Sequence, residues 1–144
     1  MVGGKGMTTR EWLGRAKTAQ QELRLIREAR EAIYASLTSV TQNLDGDPVQ
    51  STKDPHKFDR LGDVAIEMDN AEKNLKKVLR EVFHAIMQVK ESRYRQILIL
   101  LYMRGLDMTA TAKEVGYSYE HTCRLHGRAI LEIAEVIKGH DGEL

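Results

Sequence analysis

The sequence predicts an all-α fold: a long antiparallel, coiled-coil-like helical hairpin followed by a helix-turn-helix. Three observations predict it. Apolar residues recur at alternating three- and four-residue steps over two long stretches. Both prolines, Pro48 and Pro55, fall in the one stretch between them, where a residue without a backbone donor breaks no helix. Beyond residue 91, capping residues and glycines divide the chain into shorter helical segments. Aromatic residues are only 6% of the chain, too few for an all-β core.

The opening MVGGKG is glycine-rich and aperiodic, so residues 1–7 are expected to be a disordered start or a cloning remnant, with Met7 as the natural first residue. Thr8 to Glu11 reads TTRE, a capping box in which hydroxyl and carboxylate each satisfy an orphan backbone donor. The ladder that follows is Trp12, Ala16, Ala19, Leu23, Ile26, Ile33, Leu37, Val40 and Leu44. Arg30 interrupts it. We read that arginine as a snorkelling edge residue, with a register-setting polar position as the alternative.

Residues 41–57 punctuate the chain, with turn signals at Asp45-Gly46-Asp47-Pro48 and Asp54-Pro55. A second ladder runs Leu61, Val64, Met68, Ala71, Leu75, Val78, Val82, Ala85 and Val89, widened near its end by Phe83, Ile86 and Met87. Two helices of about 30 residues, each roughly 45 Å long, would pack antiparallel across one loop. Each seam is then covered on one side only. Leftover apolar residues such as Ile33, Tyr34 and Phe83 point to a homodimer through the hairpin, spanning residues 8–90. Packing against the C-terminal segment within one chain is the alternative.

Residues 91–137 form the second predicted domain. A helix begins at Ser92 and carries Tyr94, Ile97, Leu98, Leu101 and Tyr102; the run ILILLYM is apolar nearly all round and should be buried. Gly105 stops it. Asp107 caps MTATAKEV, Gly116 ends that helix, and Ser118 caps the long segment from Tyr119. Two helices joined by a short glycine turn form the helix-turn-helix layout. Ala112 supplies the small residue required where the helices cross, and Val115, Leu125, Ala129 and Ile130 supply core contacts. Thr111 and Thr122 fall where such motifs carry aliphatic residues. Each hydroxyl is expected to bond a carbonyl one turn earlier or the other threonine. Residues 138–144 are expected to be a flexible tail.

Charge narrows the function. The whole chain carries only +1, so nucleic-acid affinity must be local. Between residues 93 and 131 stand six basic residues (Arg93, Arg95, Arg104, Lys113, Arg124 and Arg128) against the acids Asp107, Glu114 and Glu120, with His121 and His126 as reserve donors. That excess suits phosphate contact. The single Cys123 allows no internal disulfide. No apolar run is long enough to span a bilayer, and no signal peptide is visible, so a cytoplasmic location in the host cell and no membrane partner are expected. Cys123 and His126 have the spacing of two metal ligands but lack a second pair. His56 and His84 have no catalytic partners in the sequence, and no phosphate-binding glycine loop is present. No enzyme activity, cofactor or metal is expected.

The stretch GYSYEHTCRLHGRAI is similar to the recognition helix of sigma-70 region 4. More closely, the chain resembles a family of small phage-encoded, sigma-70 region 4-like transcriptional regulators of the late-gene activator type. The residues that carry the resemblance are Leu101-Tyr102 with Gly105-Leu106, then Gly116-Tyr117-Ser118, then Arg124 to Ala129, together with PVQS at 48–51. The resemblance covers most of the chain from about residue 8 and is specific in the C-terminal third. It implies promoter or operator DNA as partner, beside RNA polymerase. Glu120, His121 and Arg124 become the base-reading candidates, flanked by Tyr119 and Arg128. His121 and Cys123 stand where sigma region 4 often has arginine, so its −35 sequence does not carry over, and no region 2 is recognisable.

On the residues themselves, Arg124 and Arg128 share a face at four-residue spacing, and arginine there can read guanine bidentately. Glu120 either accepts from cytosine or stabilises the helix start. Ser118 caps a helix start that also meets phosphate, and Lys113 is a phosphate contact. The leading function is a sequence-specific transcription regulator. The alternatives are a phage DNA-packaging recognition subunit of the small-terminase type, and a polymerase- or sigma-binding protein without direct DNA contact.

Overall fold

The computed structural model describes residues 6–42 and 57–142, with the backbone alone for 37–42, 57–59 and 140–142. The described chain is all-helical. Its helices are α1 (Thr9–Gln42), α2 (Lys57–Met87), α3 (Ser92–Leu98), α4 (Met108–Val115) and α5 (Tyr119–Gly142), with a π-helical turn at Ile99–Met103 after α3. The predicted loop at 41–57 lies almost wholly outside the described residues, as does most of the 1–7 start. No described helix is long and apolar enough to cross a membrane.

The capping box forms as written in the sequence. The Thr8 backbone N–H donates to Glu11 Oε1 at 2.8 Å, and the Glu11 N–H donates to Thr8 Oγ1 at 3.1 Å. The chain divides into two compact units. One joins residues up to Gln20 with those from Lys76 on; the other is Gln21–Leu75. α1 and α2 each contribute to both.

The first unit holds a core of Leu13, Ala16, Val82, Ala85, Ile86, Val89, Leu98, Ala129 and Ile133. The first two come from α1, the next three from α2, Leu98 from α3 and the last two from α5, with Val89 just beyond α2. The boundary predicted between residues 90 and 91 therefore runs through a core rather than between two. Short helices such as α3 and α4 cannot enclose apolar surface by themselves. The ends of α1 and α2 supply the missing walls. Arg95 ties the same region, its Nη1 donating to the carbonyls of Val89 at 2.7 Å and Lys90 at 2.9 Å.

Two details of the ladders change. Leu13, outside the predicted seam, is fully buried, while Trp12 is half-buried with the Arg15 guanidinium 4.8 Å from its ring centroid. A helix facing a globular core buries a wider stripe than a two-helix seam, so neighbours 100° apart can both contribute. Ile86 is buried, whereas Phe83 and Met87 remain exposed.

In the second unit, Arg30 Nη2 lies 3.0 Å from both Asp69 Oδ1 and Glu72 Oε1. Arg30 thus links α1 to α2 from a half-exposed position, a contact that fits the edge reading and the register reading alike. Within the first unit Arg15 pairs with Glu81. Leu23 is the only buried side chain among the described residues of this second unit.

The helix from Ser92 leaves α-geometry at Ile99. Arg104 N–H reaches the Ile99 carbonyl at 2.9 Å, a five-residue step, and Leu106 N–H reaches the Leu100 carbonyl at 3.0 Å. Gly105 takes φ +75°, ending the segment where predicted. Ile97 and Leu98 are buried, but residues 99–103 are half-buried rather than enclosed.

Candidate nucleic-acid interface

Local capping positions α4 and α5. Asp107 Oδ1 accepts from Ala110 N–H at 2.7 Å. Gly116 adopts φ +80°, which few side chains tolerate, and its N–H donates to the Ala112 carbonyl. Ser118 Oγ accepts from His121 N–H at 3.1 Å, starting α5 after a three-residue turn, 116–118. Ala112 is buried, and α4 packs on α5. α5 itself runs to Gly142, five residues past its predicted end at 137. Gly139 is not among the positive-φ glycines, so nothing there stops the helix.

Burial sorts the faces of α5. Thr122, Leu125, His126, Ala129 and Ile133 point inward. Glu120, Arg124, Gly127 and Leu131, spaced four, three and four residues apart, share the opposite face. Leu131 is 72% exposed, unusual for a leucine beside a core helix face. Arg128 sits at the edge of this stripe, bordering an open groove of about 550 Å³ that Tyr94, Glu132 and Glu135 also line.

The six cations of this segment divide into two groups. Arg93 Nε bonds Glu91 Oε1 at 3.2 Å, Arg95 is bound to two carbonyls, and Arg104 lies 3.9 Å from Glu114. Glu91 holds the Arg93 guanidinium pKa up, and Arg93 in return holds the Glu91 carboxyl down, chiefly through their side-chain hydrogen bond. Lys113, Arg124 and Arg128 are exposed, and among the described residues none of them has a hydrogen-bond or ion-pair partner. Comparisons of the chain with protein-family models, curated proteins and solved structures found no match. The residues themselves therefore carry the functional argument.

Of the remaining predicted contacts, Ser118, Tyr119 and Glu120 are exposed, Tyr119 at 55%. His121 is half-buried and packs edge-on against Tyr117, ring centroids 5.0 Å apart. That contact fixes the His121 ring beside the turn. Sequence alone does not show it, although an aromatic four residues before a histidine at a helix start is a visible hint.

His126 is no reserve donor. It is 8% exposed, stacks on Tyr102 and shares a 2.9 Å hydrogen bond with the Tyr102 hydroxyl through Nε2. Burial pushes the His126 pKa below its ordinary value, with a smaller contribution from Arg10, and pushes the Tyr102 pKa up. His126 binds its proton more weakly folded than unfolded, so stability rises with pH across its titration. That contribution is complete above the ordinary value of 6.5 and is lost as pH falls through the depressed one. Urea unfolding at a series of pH values should show a decline below 6.5 that His126→Gln flattens. An equal slope in the variant would assign the decline to other groups. Among the described residues no three metal-ligating side chains converge.

The threonines separate. Both are fully buried. Thr122 Oγ1 donates to the Ser118 carbonyl at 2.8 Å, one turn earlier as expected. Thr111 Oγ1 has no partner, contrary to expectation. A buried hydroxyl without a partner costs about 1–3 kcal/mol. Thr111→Val should therefore stabilise the chain, whereas Thr122→Val should lose roughly 0.5–1.5 kcal/mol. Urea midpoints decide this; shifts of the same sign would contradict the assignment.

Proposed function

We propose that the chain is a sequence-specific double-stranded DNA-binding transcription regulator. In this reading α3, α4 and α5 form a sigma-region-4-like helix-turn-helix module, and α5 is the recognition helix. The carrying observation is the division of the cations. Three are spent on the chain's own carboxylates and carbonyls, while Lys113, Arg124 and Arg128 stay exposed and unpaired on α4 and α5. Unpaired arginines on an exposed helix stripe can pair with phosphate and guanine at no cost in broken internal bonds. Glu120 and Tyr119 stand at the first turn, where recognition helices meet base edges. The resemblance to the phage regulators supports an action beside RNA polymerase at promoters.

α1 and α2 form the antiparallel hairpin of this reading, and the hairpin carries self-association. Support comes from the second unit, where Leu25, Tyr34 and Ile66 are 58%, 62% and 60% exposed. An open groove of about 440 Å³ there is lined by Leu25, Ile26, Ala71 and Leu75. A two-helix unit that buries one leucine leaves apolar surface for a second copy to cover.

The direct test is selection of duplexes from a randomised library by the full-length chain, with sedimentation of the free protein. The expected result is an enriched sequence arranged as two half-sites, bound by a dimer. Failure to enrich any duplex would refute DNA reading.

A further inference from the structure

Gly127 lies in the interior of α5, where glycine destabilises a helix by about 0.5–1 kcal/mol relative to alanine. Its backbone is not in the left-handed region, so no turn requires it. No atom outside the helix's own backbone lies within 4 Å of where a Cβ would stand. Among the described residues nothing therefore demands a glycine. Gly14, Gly62 and Gly139 are open in the same way, so openness alone assigns no role. Position separates Gly127 from them. Half-buried, it falls on the outward stripe between Glu120–Arg124 and Leu131, and Arg128 follows it directly. Arg124 and Arg128, its two cationic neighbours, have no partner among the described residues.

Resting on the DNA-binding reading above, we infer that Gly127 is the point of closest approach between α5 and the DNA sugar–phosphate backbone. Its missing side chain lets the helix sit deep enough for both arginines to bond. A hydrogen bond from arginine to a base edge or a phosphate holds its strength over only a few tenths of an ångström. A methyl group at the contact would lift the helix by more than that. Arg124 and Arg128, the unpaired cations next to Gly127, complement phosphate there, while the acids Glu120, Glu132 and Glu135 lie further along α5 on either side.

The test compares Gly127→Ala with Gly139→Ala, the same change on the same helix about 18 Å further along. Both should raise the urea midpoint, because alanine is the better helix former. Only Gly127→Ala should weaken binding to the duplex selected by the wild-type chain, by about tenfold or more. Wild-type affinity in Gly127→Ala would overturn the inference while leaving DNA binding intact. Equal losses in both variants would also overturn it, by assigning the effect to helix stiffening. A change in the free protein's sedimentation caused by Gly127→Ala would give the face to a second copy instead. If the wild-type chain selects no duplex, the DNA reading and this inference fail together.

Discussion

Arg124→Ala should cost about 1–3 kcal/mol of binding to the selected duplex and relax its sequence preference. Arg124 lies at the middle of the exposed stripe of α5 and has no partner among the described residues, so its removal should leave the folded chain intact. Any loss of affinity therefore reports a lost contact with DNA. Lys113→Ala is expected to behave differently. A lysine on α4 bonds phosphate as a point charge, so its loss should weaken every sequence alike and lower the salt slope by about one. Gel-shift titrations on selected and mixed-sequence duplexes, at two salt concentrations, separate the two outcomes. Unchanged specific affinity in Arg124→Ala would remove that residue from the interface.

The second large effect concerns stability. Leu13→Ala should destabilise the first unit by about 2–5 kcal/mol, the cost of a cavity in a packed core. Leu13 stands near the start of α1, yet it belongs to the same core as Leu98, Ala129 and Ile133. The substitution should therefore loosen α3 and α5, and DNA binding should fall with it. A fragment beginning at Ser92 lacks Leu13, Ala16, Val82, Ala85, Ile86 and Val89, the greater part of that core. It should fail to fold. Circular dichroism of the fragment, and urea unfolding of Leu13→Ala followed through the α5 helix, check both. A fragment that folds cooperatively by itself would restore the boundary at residue 90.

The turn between α4 and α5 was legible in the sequence because its determinants are local. Asp107 caps Ala110, Gly116 closes on Ala112, and Ser118 caps His121, each across three or four residues. The same holds for Thr8 and Glu11. The four-residue spacing of Arg124 and Arg128 likewise put them on one face, and both are exposed.

What lay beyond the sequence is which of several similar side chains finds a partner. Six basic residues look alike between positions 93 and 128; only the folded chain shows Arg95 tied to the carbonyls of Val89 and Lys90, six and five residues earlier, while Arg124 has no partner among the described residues. His126 looks like a donor for DNA until Tyr102, on the π-helical turn, draws it inward. Thr111 and Thr122 are the same residue in similar helices. Each has a carbonyl one turn earlier, Asp107 and Ser118, yet among the described residues only the Thr122 hydroxyl bonds its own while the Thr111 hydroxyl has no partner. Periodicity marks a helix's apolar face but not which neighbour covers it. The amino-acid sequence by itself determined where helices start and stop, through bonds that close within a single turn. The division of the core, and the burial of Leu13 within it, was decided by tertiary structure, because burial free energy depends on surfaces that meet only after the chain has folded.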